Sequence, residues 1–514
     1  MWNCLRRRNQ SRSFGRRISD CTAQCLLIII FILNTVISNT RPAIMRNGYI
    51  FFSSLIFILG FPRLTFGATI MAASPSAIDV QTAINNASNG DTVTVPAGSA
   101  TWTTQVNITS KSITLQGAGI DQTTITRNTA SDATIALNVS LRSTDFVTIS
   151  GFTFLTVNNP ANGILDVGAT SIADGYPPNT FRITNCKFNH SPTNGGSAQG
   201  ARSIMTGGVY GLIDHCTFLS SNSQGGQMIT VNRDNSMSGV NTYHTPQSYG
   251  DTNNVCIEDC TFNAFARNDG AFDAYPGQKV VFRHNTVSNT FIGWHGYDSC
   301  NRSARLFEVY QNTFTFNNGQ VGNNIVWRGG TGVVWGNTFD ANWGDANGNG
   351  FISFLIYAAD HVYVRPQAYA PSALWGSILP GVSPIAALGS AATGLAGVDG
   401  NFVRSGAVDQ GYPLLDQPGR GSFPAGNPGN WPLKTTGYAA GEYEALDPVY
   451  QWNNVVGTNH APLAGVQSAA TGNYVKANRD YYDNVAKPGY TPLQYPHPLV
   501  QNAPPPPTNL RVLP

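Results

Sequence analysis

Ionisable side chains are concentrated between residues 267 and 328 of a chain in which only 11% of the residues are charged. This segment contains six basic and four acidic residues, which are Arg267, Lys279, Arg283, Arg302, Arg305 and Arg328 against Asp269, Asp273, Asp298 and Glu308. An excess of positive charge confined to one segment attracts an anionic ligand to that place. The segment is therefore the first candidate for a functional site.

The residue types in this segment suit β-elimination from a uronate, a sugar that carries a carboxylate. Elimination needs a base that removes the proton beside the carboxylate, and a cation that neutralises the carboxylate as charge builds up. Arginine or a calcium ion can supply the positive charge, whereas the high pKa of arginine makes it a poor base. The candidate catalytic residues are Lys279 or His295 as the base, Arg283, Arg302 or Arg305 as the cation, and Tyr310 or Tyr297 as the proton donor to the leaving oxygen.

Two other functions remain open on the same residues. A glycoside hydrolase needs two carboxyl groups about 5 to 9.5 Å apart. Asp273, Asp298 and Glu308 are available for that role, with Arg283 and His295 to hold the substrate. In a non-catalytic adhesin or glycan-binding protein, the same charged side chains would anchor a loop through salt bridges.

The strands that must position these residues are predicted from copies of one short sequence motif. The copies are FRITNCKF (181–188), GLIDHCTF (211–218), VCIEDCTF (255–262), VVFRHNTV (280–287), FEVYQNTF (307–314) and VVWGNTF (333–339). Their middle apolar residues are 30, 44, 25, 27 and 25 residues apart, at Ile183, Ile213, Ile257, Phe282, Val309 and Val334. Apolar and polar residues alternate within each copy, as in a strand with one buried face. A repeat of this length predicts stacked coils.

Two further positions recur in the copies. The polar residue after the middle apolar one is predicted to face water, at Thr184, Asp214, Glu258, Arg283, Tyr310 and Trp335. The last four of these would form an exposed stripe along the coils, and aromatic rings beside charged groups suit sugar rings. The residues predicted to bind substrate are Glu258, Asp273, Asp298, Glu308 and Trp335. A small polar residue follows at Cys186, Cys216, Cys260, Asn285, Asn312 and Asn337, which predicts an inward ladder of side chains at a bend.

The repeat resembles the right-handed parallel β-helix of the pectin-lyase-like proteins, over residues 77–359. The resemblance implies an all-β solenoid, and similarity to the β-helical lyases of the chondroitinase B and alginate lyase kind implies elimination from an anionic polysaccharide. The Lys/Arg pair of those lyases is matched only loosely by Lys279 and Arg283, and no compact acidic calcium cluster lies beside them in the sequence. The motifs of the polygalacturonases (NTD, a DD pair, GHG and RIK) are not present in that form.

The first 68 residues differ from the rest, because a charged start at Arg46 is followed by an apolar run and a small-residue exit at Ala68. This is the form of a secretory signal, with Met45 as a possible start, and a membrane-anchored N-terminus is the alternative. Removing these residues leaves 30 − 9 = 21 basic and 28 − 1 = 27 acidic residues, a net charge near −6. We therefore expect an extracellular or periplasmic monomer that acts on a polysaccharide and does not bind nucleic acid.

The remaining chain is predicted to form a capping helix at residues 77–87, a β-helix over residues 69–360, loops over residues 361–502 packed on it, and a stiff proline-rich tail over residues 503–514. Five cysteines remain after export, at Cys186, Cys216, Cys256, Cys260 and Cys300. We expect buried thiols with at most one bridge. The spacing of Cys256 and Cys260 does not predict a metal site, because one is expected to face outward and the other inward.

Overall fold

The computed structural model describes residues 67–129, 135–170, 178–189, 201–220, 226–231, 248–264, 270–274, 277–294, 304–315, 325–327, 329–340, 352–354, 418–422, 445–457, 459–460, 477–501 and 510–511. Within these residues the chain is a right-handed parallel β-helix, as the sequence repeat predicted. Each coil contributes one strand to each of three long sheets, so strands that are neighbours in a sheet come from successive coils. Among the residues described, no helix is both long and apolar enough to cross a bilayer.

Sheet 1 contains the strands of the repeated sequence motif and most of the predicted site residues. Its described strands are β1 (Thr69–Met71), β2 (Thr92–Val95), β5 (Thr114–Gly117), β8 (Val147–Ser150), β11 (Phe181–Thr184), β14 (Gly211–Asp214), β17 (Val255–Glu258), β20 (Lys279–Arg283), β23 (Leu306–Tyr310), β26 (Thr331–Trp335), β31 (Val449–Trp452), β34 (Tyr481–Asp483) and β35 (Leu510–Arg511). The last strand pairs with the first one, at the N-terminal end of the sheet.

Sheets 2 and 3 complete each coil. Sheet 2 contains β3 (Gly98–Trp102), β6 (Thr123–Arg127), β9 (Thr153–Thr156), β12 (Lys187–Asn189), β15 (Thr217–Ser220), β18 (Thr261–Ala264), β21 (Thr286–Ser288), β24 (Thr313–Thr315), β27 (Thr338–Phe339), β32 (Val455–Val456) and β33 (Asn459–His460). Sheet 3 contains β4 (Val106–Thr109), β7 (Leu137–Leu141), β10 (Leu165–Ala169), β13 (Ala201–Gly207), β16 (Gly226–Val231), β19 (Gly270–Ala274), β22 (Phe291–Trp294), β25 (Ile325–Trp327) and β28 (Ile352–Phe354). A separate antiparallel pair is formed by β29 (Arg420–Ser422) and β30 (Ala445–Leu446).

The strand register confirms the alignment of the sequence copies. The middle apolar residues pair in order up sheet 1, from Ile183 through Ile213, Ile257, Phe282 and Val309 to Val334. Their side chains are buried in one continuous core that runs through the coils. In sheet 2, Phe154, Phe188, Phe218 and Phe262 stack in a row with ring centroids 5.2, 5.3 and 4.8 Å apart. Each ring therefore buries its faces against the coils above and below, which a single coil could not achieve.

The bend between sheets 1 and 2 has the same backbone conformation in successive coils. The residue before the ladder position has a positive φ in all six copies, 51° to 56° at Asn185, His215, Asp259, His284 and Gln311 and 63° at Gly336. One residue in the left-handed region turns the chain sharply, so the next side chain points into the coil. The predicted inward ladder is therefore confirmed, and Asn454 extends it by one more coil.

The asparagines of this ladder bond to each other and to the backbone. Asn312 Oδ1 accepts hydrogen bonds from the backbone N–H of Asn285 at 2.9 Å and from its side-chain amide at 3.1 Å. Asn312 Nδ2 donates to the carbonyl of Phe282 at 2.9 Å and to Asn337 Oδ1 at 2.9 Å. The earlier ladder positions carry Cys186, Cys216 and Cys260, which are free, buried thiols. Burial raises the pKa of the Cys186 and Cys216 thiols well above the usual value, so they are unreactive packing groups.

Helix α1 (Ala77–Asn86) covers the first coil, as predicted. Ser76 caps its N-terminus by accepting a hydrogen bond from the backbone N–H of Asp79 at 3.2 Å. Val80, Ala83 and Ile84 are buried against the coil beneath. The helix therefore gives the solenoid a polar outer end in place of an open stack.

The C-terminal region, predicted to be rich in loops, also adds strands to the sheets of the β-helix. Strands β31 and β34 continue sheet 1, and β32 continues sheet 2. The sequence around residues 449–456 is a further copy of the repeat. It stands more than a hundred residues after the previous copy, so the regular spacing of the other copies does not predict it. Helix α2 (Pro498–Gln501) ends a long segment that lies on the outside of sheet 1 and is described with the site.

The ladder leads to a stability prediction. Asn312→Ala removes the acceptor of two buried donors of Asn285 and the donor to a buried carbonyl, so we expect the free energy of unfolding to fall by about 2–4 kcal/mol. The change is measured as a lower urea midpoint. Thr313→Ala, one residue further along and exposed, is the control and is expected to change stability by less than about 0.5 kcal/mol. Equal midpoints for the two variants would contradict the role of the ladder.

Candidate functional site

The predicted stripe exists as a row of adjacent side chains on the outer face of sheet 1. Strand pairing places Asp214, Glu258, Arg283, Tyr310, Trp335 and Trp452 side by side on six successive strands. We call this row the outer ladder. The alternation of the strands explains it, because the residues on either side of the middle apolar position point away from the core.

Arg283 is the centre of the outer ladder, and each of its three side-chain nitrogens donates at least one hydrogen bond. Its Nε donates to Glu258 Oε2 at 2.8 Å, and its Nη2 lies 2.6 Å from the same oxygen. Nη1 donates to the hydroxyl of Tyr310 at 2.9 Å and to the carbonyl of Leu493 at 2.5 Å. Nη2 also donates to the carbonyl of Gln494 at 2.8 Å. All three nitrogens of the guanidinium are therefore bonded within the protein.

The carbonyls of Leu493 and Gln494 belong to a segment that lies along the outer ladder. This segment, residues 490–499, is called the strap. The backbone N–H of His497 donates to Glu258 Oε1 at 3.0 Å, and the carbonyl of Leu499 accepts from Arg182 at 3.4 Å. Leu493 packs with Leu212, Cys256, Val281 and Tyr310 in a small apolar cluster outside the coil. The strap therefore closes this part of the outer face with both polar and apolar contacts.

The prediction that the stripe faces water is wrong. Glu258 and Arg283 are 0% exposed, Tyr310 is 1% exposed, and Asp214 and Thr184 are also buried. The residues do point away from the core, as alternation requires, but the strap covers them. Trp335 is partly exposed. The strap thus covers Glu258, Arg283 and Tyr310, and the catalytic and substrate-binding roles predicted for these three residues lack an accessible surface in this arrangement.

The aromatic rings of the outer ladder stack face to face on each other. The rings of Tyr310 and Trp335 stack with centroids 4.7 Å apart and planes 9° from parallel. Trp335 and Trp452 stack in the same way at 5.8 Å and 8°. Tyr490 of the strap meets Trp335 edge-on and accepts a hydrogen bond from its Nε1 at 3.3 Å. A sugar ring therefore cannot stack on the face that Tyr310 and Trp335 share.

Glu308 lies two residues before Tyr310 on β23, so its side chain also points outward, and it is also enclosed. Its Oε1 accepts from the backbone N–H of Gly250 at 2.8 Å, and its Oε2 accepts from the hydroxyl of Tyr490 at 2.6 Å. Burial raises the pKa of this carboxyl to about 7, although the two hydrogen bonds act in the opposite direction. Glu308 therefore connects the turn at Gly250 to the strap.

Lys279 is the candidate catalytic residue with the most unusual environment. Its side chain is only 4% exposed, at the first position of β20. Among the residues that the structure describes, none forms a hydrogen bond or ion pair with its Nζ. Burial lowers the pKa of the amine, the positive charge of Arg305 lowers it further, and the carboxylate of Asp251 acts against both. A buried amine of this kind is partly neutral at a pH where an exposed lysine is fully charged.

Two polar side chains next to Lys279 also have free hydrogen-bonding atoms. Asn254 precedes β17 in the position that neighbours Lys279 across the sheet, and its Oδ1 has no hydrogen-bond partner. Gln278 directly precedes Lys279, and its Nε2 is likewise buried without a partner. Buried polar atoms are nearly always bonded, so those that are not deserve a functional explanation. Neither residue was singled out in the sequence, where an isolated Asn or Gln gives no signal.

The other predicted residues fall into three groups. Arg305 is buried immediately before β23, where its backbone N–H donates to the carbonyl of Gln278 at 2.8 Å. Asp273 is buried in β19, so it lies in sheet 3 and apart from the outer ladder in sheet 1. The remaining residues, His295, Asp298 and Arg302, lie outside the described residues. The described carboxyls of the hydrolase alternative, Asp273 and Glu308, are thus in different sheets.

Within the described residues, no group of three or more His, Cys, Asp or Glu side chains is arranged to hold a metal ion. Cys256 points outward into the apolar cluster beneath the strap, and Cys260 points into the core. The opposite directions predicted for these two cysteines are confirmed.

The enclosed ion pair leads to a second prediction. Arg283→Ala leaves the buried carboxylate of Glu258 without its partner, so we expect a loss of about 3–5 kcal/mol in the free energy of unfolding. Glu258→Gln combined with Arg283→Met removes both charges and is expected to restore part of that loss. Chemical denaturation of the parent and the two variants measures both changes in the free energy of unfolding. A stable Arg283→Ala variant would contradict the structural role of this residue.

Comparisons with known proteins give only distant similarities, and no argument rests on them. No protein-family model and no curated protein sequence matches the chain. Two solved structures are similar over part of their length, the ORF18 protein of Geobacillus virus E2 and a variant of the PL6-family alginate lyase AlyGC. The first is 15% identical with a TM-score of 0.27, over 54% of this chain and 51% of that one. The second is 13% identical with a TM-score of 0.24, over 56% of this chain and 49% of the lyase. The chain thus matches about half the length of each, and no argument about activity rests on them.

Proposed function

We propose that this protein is a polysaccharide lyase that cleaves a uronate-containing polymer by β-elimination, with Lys279 as the base. The observation that supports it is the amine of Lys279, which is buried, has a lowered pKa and has no bonded partner among the described residues. Buried lysines are unfavourable unless they are neutral or paired, and they are frequent at catalytic sites for that reason. The proposal moves the site from the outer ladder to the start of β20.

In the proposed reaction, the neutral amine of Lys279 removes the proton from the carbon beside the uronate carboxylate. The electron pair of that C–H bond forms a carbon–carbon double bond as the bond to the leaving glycosidic oxygen breaks. The amine becomes an ammonium ion, and the leaving oxygen takes a proton from an acid. Of the donors predicted from the sequence, Tyr310 lies beneath the strap, whereas Tyr297 is outside the described residues.

Arg305 is the proposed partner for the substrate carboxylate. It is the basic residue whose charge acts on Lys279, so an anionic group bound between the two would interact with both. A guanidinium can hold a carboxylate through two parallel hydrogen bonds, and this contact strengthens as negative charge builds up on the carboxylate. The proposal also includes export of the protein, as the predicted leader implies, because such polymers lie outside the cell membrane.

A second candidate, a non-catalytic glycan-binding β-helix, is favoured by the closed outer face. In that case the charged residues of the outer ladder serve only to hold the strap, and the binding surface lies elsewhere on the coil. The two candidates differ in whether a bond of the polymer is broken.

The lyase proposal makes a direct prediction. Incubation with a panel of uronate polymers is expected to produce ultraviolet absorbance from an unsaturated product with at least one of them. Lys279→Ala is expected to lower kcat by a factor of about 10²–10⁴, the usual contribution of a general base. The control is Lys187→Ala, which removes a partly exposed lysine of sheet 2 that pairs with Asp121, and it is expected to leave kcat unchanged.

The pH profile follows from the lowered pKa of Lys279. The base must be neutral, so kcat/KM is expected to rise with pH and to reach its plateau below the pH at which an ordinary lysine deprotonates. Reducing ends without an unsaturated product would indicate hydrolysis, and polymer binding without cleavage would favour the second candidate. Full activity of Lys279→Ala would contradict the assignment of the base.

A further inference from the structure

The turn at residues 249–254 lies between the strap and Lys279. Its own hydrogen bonds make it compact, because Asp251 Oδ1 accepts from the backbone N–H of Asn253 at 2.8 Å and Oδ2 accepts from the side chain of Asn253 at 3.0 Å. The side-chain amide of Asn254 donates to the carbonyl of Asp251. The turn then enters β17, one strand away from Lys279.

Two groups fix this turn from outside. Glu308, on the outer face of β23, accepts from the backbone N–H of Gly250 at 2.8 Å. Tyr490 of the strap donates to the other oxygen of Glu308 at 2.6 Å, and its ring meets the ring of Tyr249 edge-on. The carboxyl of Glu308 thus ties the turn and the strap together.

The backbone at Gly250 leaves no room for another residue type. Its φ is +68°, in the left-handed region, and a Cβ at this position would collide with the backbone carbonyl of Thr491 in the strap. The strap therefore lies directly on the turn. Movement of the strap away from sheet 1 would remove the surface against which Gly250 packs.

The far end of the turn lies against Lys279. Asn254 is the neighbour of Lys279 across the sheet, and the carboxylate of Asp251 is close enough to interact with the lysine amine electrostatically. The groups whose charges act on Lys279 are Asp251 and Arg305, and those that act on Glu308 are Asp251 and Arg283. The turn therefore contributes a carboxylate whose charge acts on the amine, and Asn254 as the neighbour that helps to exclude water from it.

We propose that Glu308 and Tyr490 are positioning residues, which clamp Gly250 so that the turn at residues 249–254 stays against Lys279 and keeps its amine dehydrated beside Asp251. This inference rests on the proposed function, since it explains how the base is prepared. It assigns a role to the strap, whose residues stand more than 200 positions after Lys279 in the chain. Neither residue touches the substrate in this scheme.

The test measures Lys279 itself and needs no substrate. Trace acetylation of the intact protein with acetic anhydride, from about pH 6 to about pH 11, gives the titration midpoint of each lysine by mass spectrometry of its peptide. In the parent protein the Lys279 midpoint is expected below the value of about 10.4 of an ordinary lysine. Tyr490→Phe removes the hydroxyl that holds Glu308, and Glu308→Ala removes the clamp entirely. Both are expected to raise the Lys279 midpoint, by about one pH unit for Glu308→Ala, because water reaches the amine.

Matched variants separate the clamp from a general effect on the strap. Tyr495→Phe also deletes a strap hydroxyl bonded to a carboxylate, that of Asp259 at 3.0 Å, but this bond does not involve the turn. It is expected to leave the Lys279 midpoint unchanged. Glu308→Gln keeps an acceptor for the N–H of Gly250 and is expected to retain most of the low midpoint. Asp251→Asn removes the carboxylate that favours the ammonium ion and is expected to lower the midpoint further.

The outcomes distinguish this inference from the proposed function. Folded Tyr490→Phe and Glu308→Ala variants with the parental Lys279 midpoint would overturn the clamp, even if the protein is an active lyase. A shifted midpoint in a protein that cleaves no polymer would support the clamp and refute the lyase. A Lys279 amine that stays unlabelled at every pH in the folded parent would also overturn the inference, because a base must be within reach of a small molecule.

Discussion

The enclosed contact between Arg283 and Glu258 determines how the outer face of this β-helix is organised. Both side chains are removed from water, and moving such charges out of water costs several kcal/mol unless all their hydrogen bonds are replaced. The coil alone cannot replace them, because it supplies only the neighbouring side chains of sheet 1. The strap provides the missing partners through two carbonyls and one N–H of its backbone. The ion pair and the strap are therefore stable only together.

This constraint separates two groups of residues that look alike in the sequence. The outer ladder contains the residue types of a sugar-binding surface, yet its polar atoms bond to the strap and its aromatic rings stack on each other. Lys279 lies on the same strand as Arg283 and is also buried, but its amine has no bonded partner among the described residues. A group that is costly to bury and is not used for packing is a better candidate for chemistry than one that is fully bonded.

Most of the fold could be predicted from the sequence, because it depends on local alternation repeated at regular intervals. The alternation in VVFRHNTV assigns Val280 and Phe282 to the core and Arg283 to the outside, and the structure agrees. The ladder at Asn285, Asn312 and Asn337 was visible as identical residues at one place in the repeat. Both signals come from neighbouring coils, which are about 25 residues apart in the chain.

The covering of the outer face could not be predicted in this way. The bond between Arg283 and the carbonyl of Leu493 joins residues 210 positions apart, and the strap contains no copy of the repeat. Its prolines at positions 492, 496 and 498 indicate an extended backbone, but they do not indicate which surface it lies on. Alternation shows whether a side chain leaves the coil, whereas its exposure depends on what the rest of the chain places above it. For the same reason Asp251 and Asn254 gave no signal beside Lys279.

Hydrogen–deuterium exchange of the strap tests most directly whether the outer face is sealed. If the strap is held by Arg283 and Glu258, peptides covering residues 490–500 exchange as slowly as those of β20, with the His497 amide among the protected ones. Exchange of the strap within seconds, while β20 stays protected, would show that the outer ladder is open to solvent and would contradict the structural role assigned to it.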